Sequence, residues 1–181
     1  METSMIWPSS TGPSRNSLAT LARRALAAGG LQALAASGVS RAVHVHGERH
    51  DLWWEFSLEA SFRWQAHLHR LRPEVYQQRL RRLTGALGLE GLLSREVAGL
   101  THSSRALADL AVALLPRPAL LLWEEPFYLL GQAEAARTVR LVRELHAEGM
   151  ALVAVAAEPP GLTDLEARAD WQAPALLHLA H

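Results

Sequence analysis

The stretch at 118–131, PALLLWEEPFYLLG, constrains this chain more than any other. Leu120, Leu121, Leu122 and Trp123 form an unbroken apolar run between Pro118 and the triplet Glu124, Glu125, Pro126. A short run bounded in this way predicts a strand covered on both faces, as in a parallel sheet. Two carboxylates then stand at its carboxyl end, where open parallel sheets place their ligand crevice. There they can hold a metal ion or position a water, or simply form a solvated acidic turn. The neighbouring segments bear on that choice.

Composition removes several classes. A chain of 181 residues can form one globular domain with a small inserted subdomain. With 49% apolar and 20% charged residues and zero net charge, it belongs to neither the disordered class nor the basic nucleic-acid binders. It has no Cys, so disulfides and thiolate metal sites are excluded, which fits a cytoplasmic setting. All 18 basic residues are Arg, which excludes lysine-dependent chemistry such as a Schiff base or a phosphate-binding lysine. No apolar run approaches the roughly 20 residues of a membrane span. Any membrane contact is expected through a partner.

In chain order, a short apolar run at 5–7 is followed by the turn-forming PSSTGPSRNS and the helical pattern LATLARRALAAGGLQALAA. Strand, Gly/Ser-rich loop and helix form the architecture of a phosphate cradle. A plain helix start capped by Ser14, Asn16 or Ser17 accounts for the same residues. Residues 41–49, RAVHVHGER, alternate as a strand does. His44, His46, His50, His67 and His69 are candidate imidazole ligands, but no acidic or cysteine partner stands at a recognised spacing, so no metal site is assigned.

Residues 57–94 carry a helical period through Phe62, Gln65, Ala66, Leu68, His69 and Leu71, then Val75, Leu80, Leu83 and Leu87. Pro73 interrupts it, which predicts at least two helices. Arg70, Arg72, Arg79, Arg81 and Arg82 form a basic stripe, read as a solvated face, with lipid headgroups or an acidic partner as the alternative. Next come GLTHSSRALADLAVALLPRP, the stretch at 118–131, the helical AEAARTVRLVRELHAEG and the second apolar run ALVAVAAEP.

This order resembles an ABC transporter ATPase: phosphate loop, Q-loop, signature loop, Walker B strand, and the strand before the switch histidine. HGERHDLWWEFSLEASF is similar to the family's FGQRxxLWWDxxxxESF variant of exporter-type ATPases, with Asp51, Leu52, Trp53 and Trp54 its most specific part. The resemblance implies an α/β P-loop NTPase (RecA-like) core with a mainly parallel sheet, drawn from 1–56 and 106–181. It also implies an inserted helical signature subdomain at 57–105. The antiparallel β subdomain is expected to be reduced or missing.

Carried over residue by residue, the resemblance implies a degenerate site. Residues 12–20, GPSRNSLAT, fall on GPNGxGKST. Gly12, Asn16, Ser17 and Thr20 remain as candidates to line the phosphate loop. Arg15 and Ser17 replace glycines, Leu18 the lysine and Ala19 the magnesium-binding hydroxyl. Leu18 deletes charge-assisted hydrogen bonds worth roughly 1.5 to 3 kcal/mol each. Glu48 stands for the Q-loop glutamine, Glu124 for the Walker B aspartate, Gly131 for the D-loop aspartate and Ala157 for the switch histidine. In the signature loop Thr101 stands for the serine and Ser103 for a glycine, while Glu125 keeps the position of the catalytic base.

The implied function is a degenerate ABC-type ATPase subunit, unable to hydrolyse ATP, that is a regulatory or structural partner of an ABC exporter. No cofactor is expected, ATP and magnesium entering only by resemblance. Partners are another ABC ATPase, as homo- or heterodimer, a membrane permease, or both, with the chain peripheral to the cell membrane. The alternative is a weak ATPase whose composite site a partner completes. A metal-dependent hydrolase using Glu124, Glu125 and the histidines is a third reading.

Overall fold

The computed structural model describes residues 43–46, 52–124, 129–156 and 176–178. Four parallel strands lie side by side in chain order: β1 (Val43–His46), β2 (Leu120–Glu124), β3 (Ala151–Ala156) and β4 (Leu176–His178). Adjacent residues of a strand point to opposite faces. Leu120 and Leu121 are 1% and 0% exposed, so both faces of β2 are covered, as its apolar run predicts. Between β1 and β2 the chain forms α1 (Leu58–Leu68), α2 (Pro73–Leu87) and α3 (His102–Leu114), and α4 (Gln132–Ala147) links β2 to β3.

Each helix begins and ends for a local reason. Ser57 caps α1, its hydroxyl accepting from the Ala60 N–H at 3.2 Å. Leu58, Phe62, Gln65 and Ala66 follow at helical spacing and are buried. Leu68 departs from the sequence expectation: it is 54% exposed. At 3.6 residues per turn it falls about a quarter turn off the face set by the other four, and His69, the C-cap, is exposed as well. The expected break is at Pro73, the first residue of α2, where the missing N–H would have no helical partner anyway.

Tyr76, Leu80, Leu83 and Leu87 form the buried stripe of α2, and Thr138, Leu141, Val142 and Leu145 that of α4. From Leu107 onward α3 is buried all round, packed against β1, α1 and α2. Phe62, Leu87, Leu110, Leu121 and Leu141 thus belong to one continuous core. Each fully buried side chain of this kind contributes about 1.5 to 3 kcal/mol.

The basic stripe is only partly a solvated face. Arg79 donates to the Leu115 carbonyl at 2.9 Å, and Arg82 donates to both oxygens of Glu148, beyond the end of α4. Arg70, Arg72 and Arg81 remain exposed. No helix among the described residues is long and apolar enough to cross a membrane.

Candidate functional site

The parallel register brings the carboxyl ends of the strands to one edge. His46 is level with Trp123, Glu124 with Val155, and Ala156 with His178. Such an edge is where a sheet of this kind opens its crevice. Glu124 ends β2 at this edge. Glu48, Glu125 and Ala157 lie outside the described residues, as do Gly12, Asn16, Ser17 and Thr20.

Leu100, buried at 7% exposure, anchors the candidate signature loop, and Thr101 is the N-cap of α3. The Thr101 hydroxyl accepts from the Ser104 N–H at 3.2 Å and donates to Ser104 Oγ at 2.9 Å, with Ser103 Oγ 3.3 Å away. The start of a helix presents N–H groups and a positive dipole end to an anion. Thr101 is already committed to its cap, and the Ser103 hydroxyl stands beside it. At the start of α4, the Gly131 N–H donates instead to the Glu134 carboxylate at 2.9 Å. The helix is therefore capped from within its first turn.

A second surface lies between β1 and α2. Leu52 and Leu58, 3% and 0% exposed, pin the two ends of a loop whose Trp53, Trp54 and Phe56 face outward at 44%, 51% and 48%. Trp64 and Leu68, one helical turn apart on α1, extend it. The Trp53 ring lies 5.2 Å from Phe56 and 5.1 Å from Trp64, which in turn lies 6.3 Å from the His67 ring. Sequence reasoning found Trp53 and Trp54 but missed Phe56, Trp64 and Leu68. The usable signal was Trp64 and Leu68 at i and i+4 on a helix whose core face was already filled.

A charged cluster occupies the amino ends of the strands, opposite the crevice edge. Arg82 and Arg117 converge on Glu148, and hydrogen bonding from Arg82 holds its carboxyl below the ordinary range. Arg79 is shifted downward, mainly by burial and secondarily by the Arg117 charge. This cluster ties α2 to the segments preceding β2 and β3.

No family model matches the chain. It is 31% identical over 147 residues, 74% of its own length and 40% of the relative's, to "Fe(3+) ions import ATP-binding protein FbpC" of Streptomyces coelicolor. The protein of that name from Streptomyces avermitilis is 32% identical over 105 residues, 58% of this chain and 30% of the relative. "Thiamine import ATP-binding protein ThiQ" of a Ruegeria species is 36% identical over 91 residues, 50% and 39%. The matches therefore span less than half of these relatives. A solved structure described as the ATP-binding subunit of an ABC transporter superposes with a TM-score of 0.60 at 25% identity, covering 67% of this chain and 51% of that one. Parallel sheet, landmark order and these matches agree: the chain is similar to ABC transporter ATP-binding subunits and has their P-loop NTPase fold.

Proposed function

We propose that this chain is a degenerate ABC ATP-binding subunit that does not hydrolyse ATP and acts as a regulatory or structural partner within an ABC transporter. The observation that carries the reading is the complete absence of Lys, with Leu18 at the lysine position of the phosphate loop and Ala19 at the hydroxyl beside it. Arg15 and Ser17, in glycine positions, deny phosphate the close backbone approach it requires. A fold does not carry its chemistry once such residues are replaced.

In this reading 57–105 is the inserted helical subdomain, and the surface of Trp53, Trp54, Phe56, Trp64 and Leu68 docks on a permease or a second ATPase. Clustered exposed aromatics are the usual anchors of interfaces. The chain is then peripheral to the membrane and held there by its partner. The Asp51–Trp54 resemblance supports an exporter, whereas the matched relatives are named for import. Transport measured in the assembled complex decides between the two directions.

Calorimetric titration with ATP and ADP at about 1 mM in the presence of magnesium tests the reading; a Kd at that level corresponds to only about −4.1 kcal/mol. Absence of binding is the expected result. Micromolar affinity would overturn it. The alternative is a composite ATPase in which Glu125 acts on nucleotide held by a partner. It is supported by the intact cap and dipole at the start of α3. Under it Glu125→Gln lowers the turnover of the complex; under the leading reading turnover is unchanged.

A further inference from the structure

Between the aromatic surface and the signature loop stands Arg105, on the first turn of α3. Its guanidinium lies 4.0 Å from the centre of the Trp54 ring, a cation–π arrangement. The same Nη2 is shared between the carbonyls of Val97 and Leu100, each at 3.4 Å. One side chain thus touches the outward-facing loop, the turn at 97–99 and the residue that precedes Thr101. The backbone joins these segments as well. Val97 N–H donates to Phe56 O and Ala98 N–H to Trp54 O, both at 3.0 Å, and Ser57 forms an antiparallel bridge with Glu96.

We infer that Arg105 is a positioning residue that makes the aromatic surface and the Thr101 loop a single mechanical unit, so that whatever covers Trp54 changes the order of the signature loop. Three contacts, one of them to a residue 51 positions away (105 − 54), are made by one planar, rigid cation, which a flexible ammonium would not reproduce. A hydrogen bond at 3.4 Å is weak alone. The stack restricts where the guanidinium can go, and both carbonyl contacts depend on that restriction. Removing the ring therefore loosens the loop through Arg105. Linkage makes the effect reciprocal: ordering the loop strengthens the stack.

Only the consequence for transport rests on the docking reading above; the coupling itself is a property of the isolated chain. Amide hydrogen exchange on the purified protein tests it. The reporters are Ser104, whose N–H is held by the Thr101 hydroxyl at 3.2 Å, and Arg105, whose N–H is held by the Thr101 carbonyl at 2.9 Å. Trp54→Ala is expected to raise exchange at both reporters about tenfold, equivalent to about 1.4 kcal/mol of local opening. Trp54→Phe, which keeps a ring under the cation, restores most of the protection, and Arg105→Gln reproduces the alanine result. Trp64→Ala removes an exposed aromatic of the same surface whose ring neighbours are Trp53 and His67, and leaves the reporters unchanged.

If Trp54→Ala alters exchange only at 53–58, or if Trp64→Ala opens the loop equally, the inference is overturned. Partner capture is scored separately on the same variants. Loss of capture without loop opening sinks the coupling and keeps the docking reading, and loop opening with capture intact does the reverse.

Discussion

Arg82 of α2 and Glu148, the residue that closes α4, meet as a two-point fork, Nη1 to Oε2 at 3.0 Å and Nη2 to Oε1 at 2.5 Å. Glu144 adds a longer contact to Arg82 at 3.5 Å, and Arg117 reaches the same Glu148 from the turn before β2. One carboxylate therefore holds together three segments far apart in sequence. Single exposed ion pairs contribute about 0 to 1 kcal/mol, and a shared bidentate pair lies at the upper end of that range. Glu148→Gln is expected to cost about 1 kcal/mol, a fall of about 2 to 4 °C in Tm, read by thermal unfolding.

The same contact makes stability depend on pH with a definite sign. Glu148 is held below the ordinary carboxylate range, first by the hydrogen bond from Arg82. A pKa depressed in the folded state means that the unfolded chain binds the proton more readily. The contribution is therefore complete above the unfolded value of about 4.3 and is lost as pH falls through the folded one. With 34% of the side chain exposed, solvent screening keeps the effect small. Tm curves of wild type and Glu148→Gln are expected to converge as the pH falls below the unfolded value. Added salt narrows the gap at neutral pH, as it does for any exposed pair.

Two hydroxyl caps give matched predictions. Ser57 and Thr101 each accept a hydrogen bond at 3.2 Å from the backbone of the helix they start. Replacing either by Ala leaves that N–H without its acceptor and costs about 1 kcal/mol. Denaturant unfolding checks both. Ser57→Thr and Thr101→Ser keep an oxygen in place and retain most of the stability; if these variants lose as much as the alanines, capping is not the cause.

What could be read from the sequence follows the range of the interactions. The apolar run ending at Trp123 announced a strand covered on both faces, and Pro73 announced the break between α1 and α2, because burial pattern and backbone chemistry are local. The convergence of His46, Glu124 and Ala156 on one edge followed once the strands were known to be parallel. Local period could not place Leu68, which shares the spacing of the core residues but lies off their face. It was equally silent on Arg79 and Arg82: Glu148 lies 66 residues beyond Arg82, and nothing near either residue names the other. The candidate phosphate-loop residues Gly12, Asn16, Ser17 and Thr20, with Glu125, fall outside the described residues. Their reading rests on the family's motif.

Gly88 supplies a test of backbone geometry. It ends α2 with φ 72°, and the next residue, the buried Leu89, turns back to donate to Thr84 O at 2.8 Å. That reversal needs the left-handed conformation, which costs a residue with a Cβ about 1 to 2 kcal/mol. Space is not the obstacle, because a Cβ built here would stand 3.5 Å from Arg137 Nη2, an ordinary contact with the end of a flexible side chain. The cost of Gly88→Ala is thus conformational, about 1 kcal/mol, while Gly88→Asn, whose side chain tolerates this region, costs less. The expected order in Tm is glycine, asparagine, alanine. Equal values for the two variants would mean that side-chain bulk, not the sign of φ, decides how α2 ends.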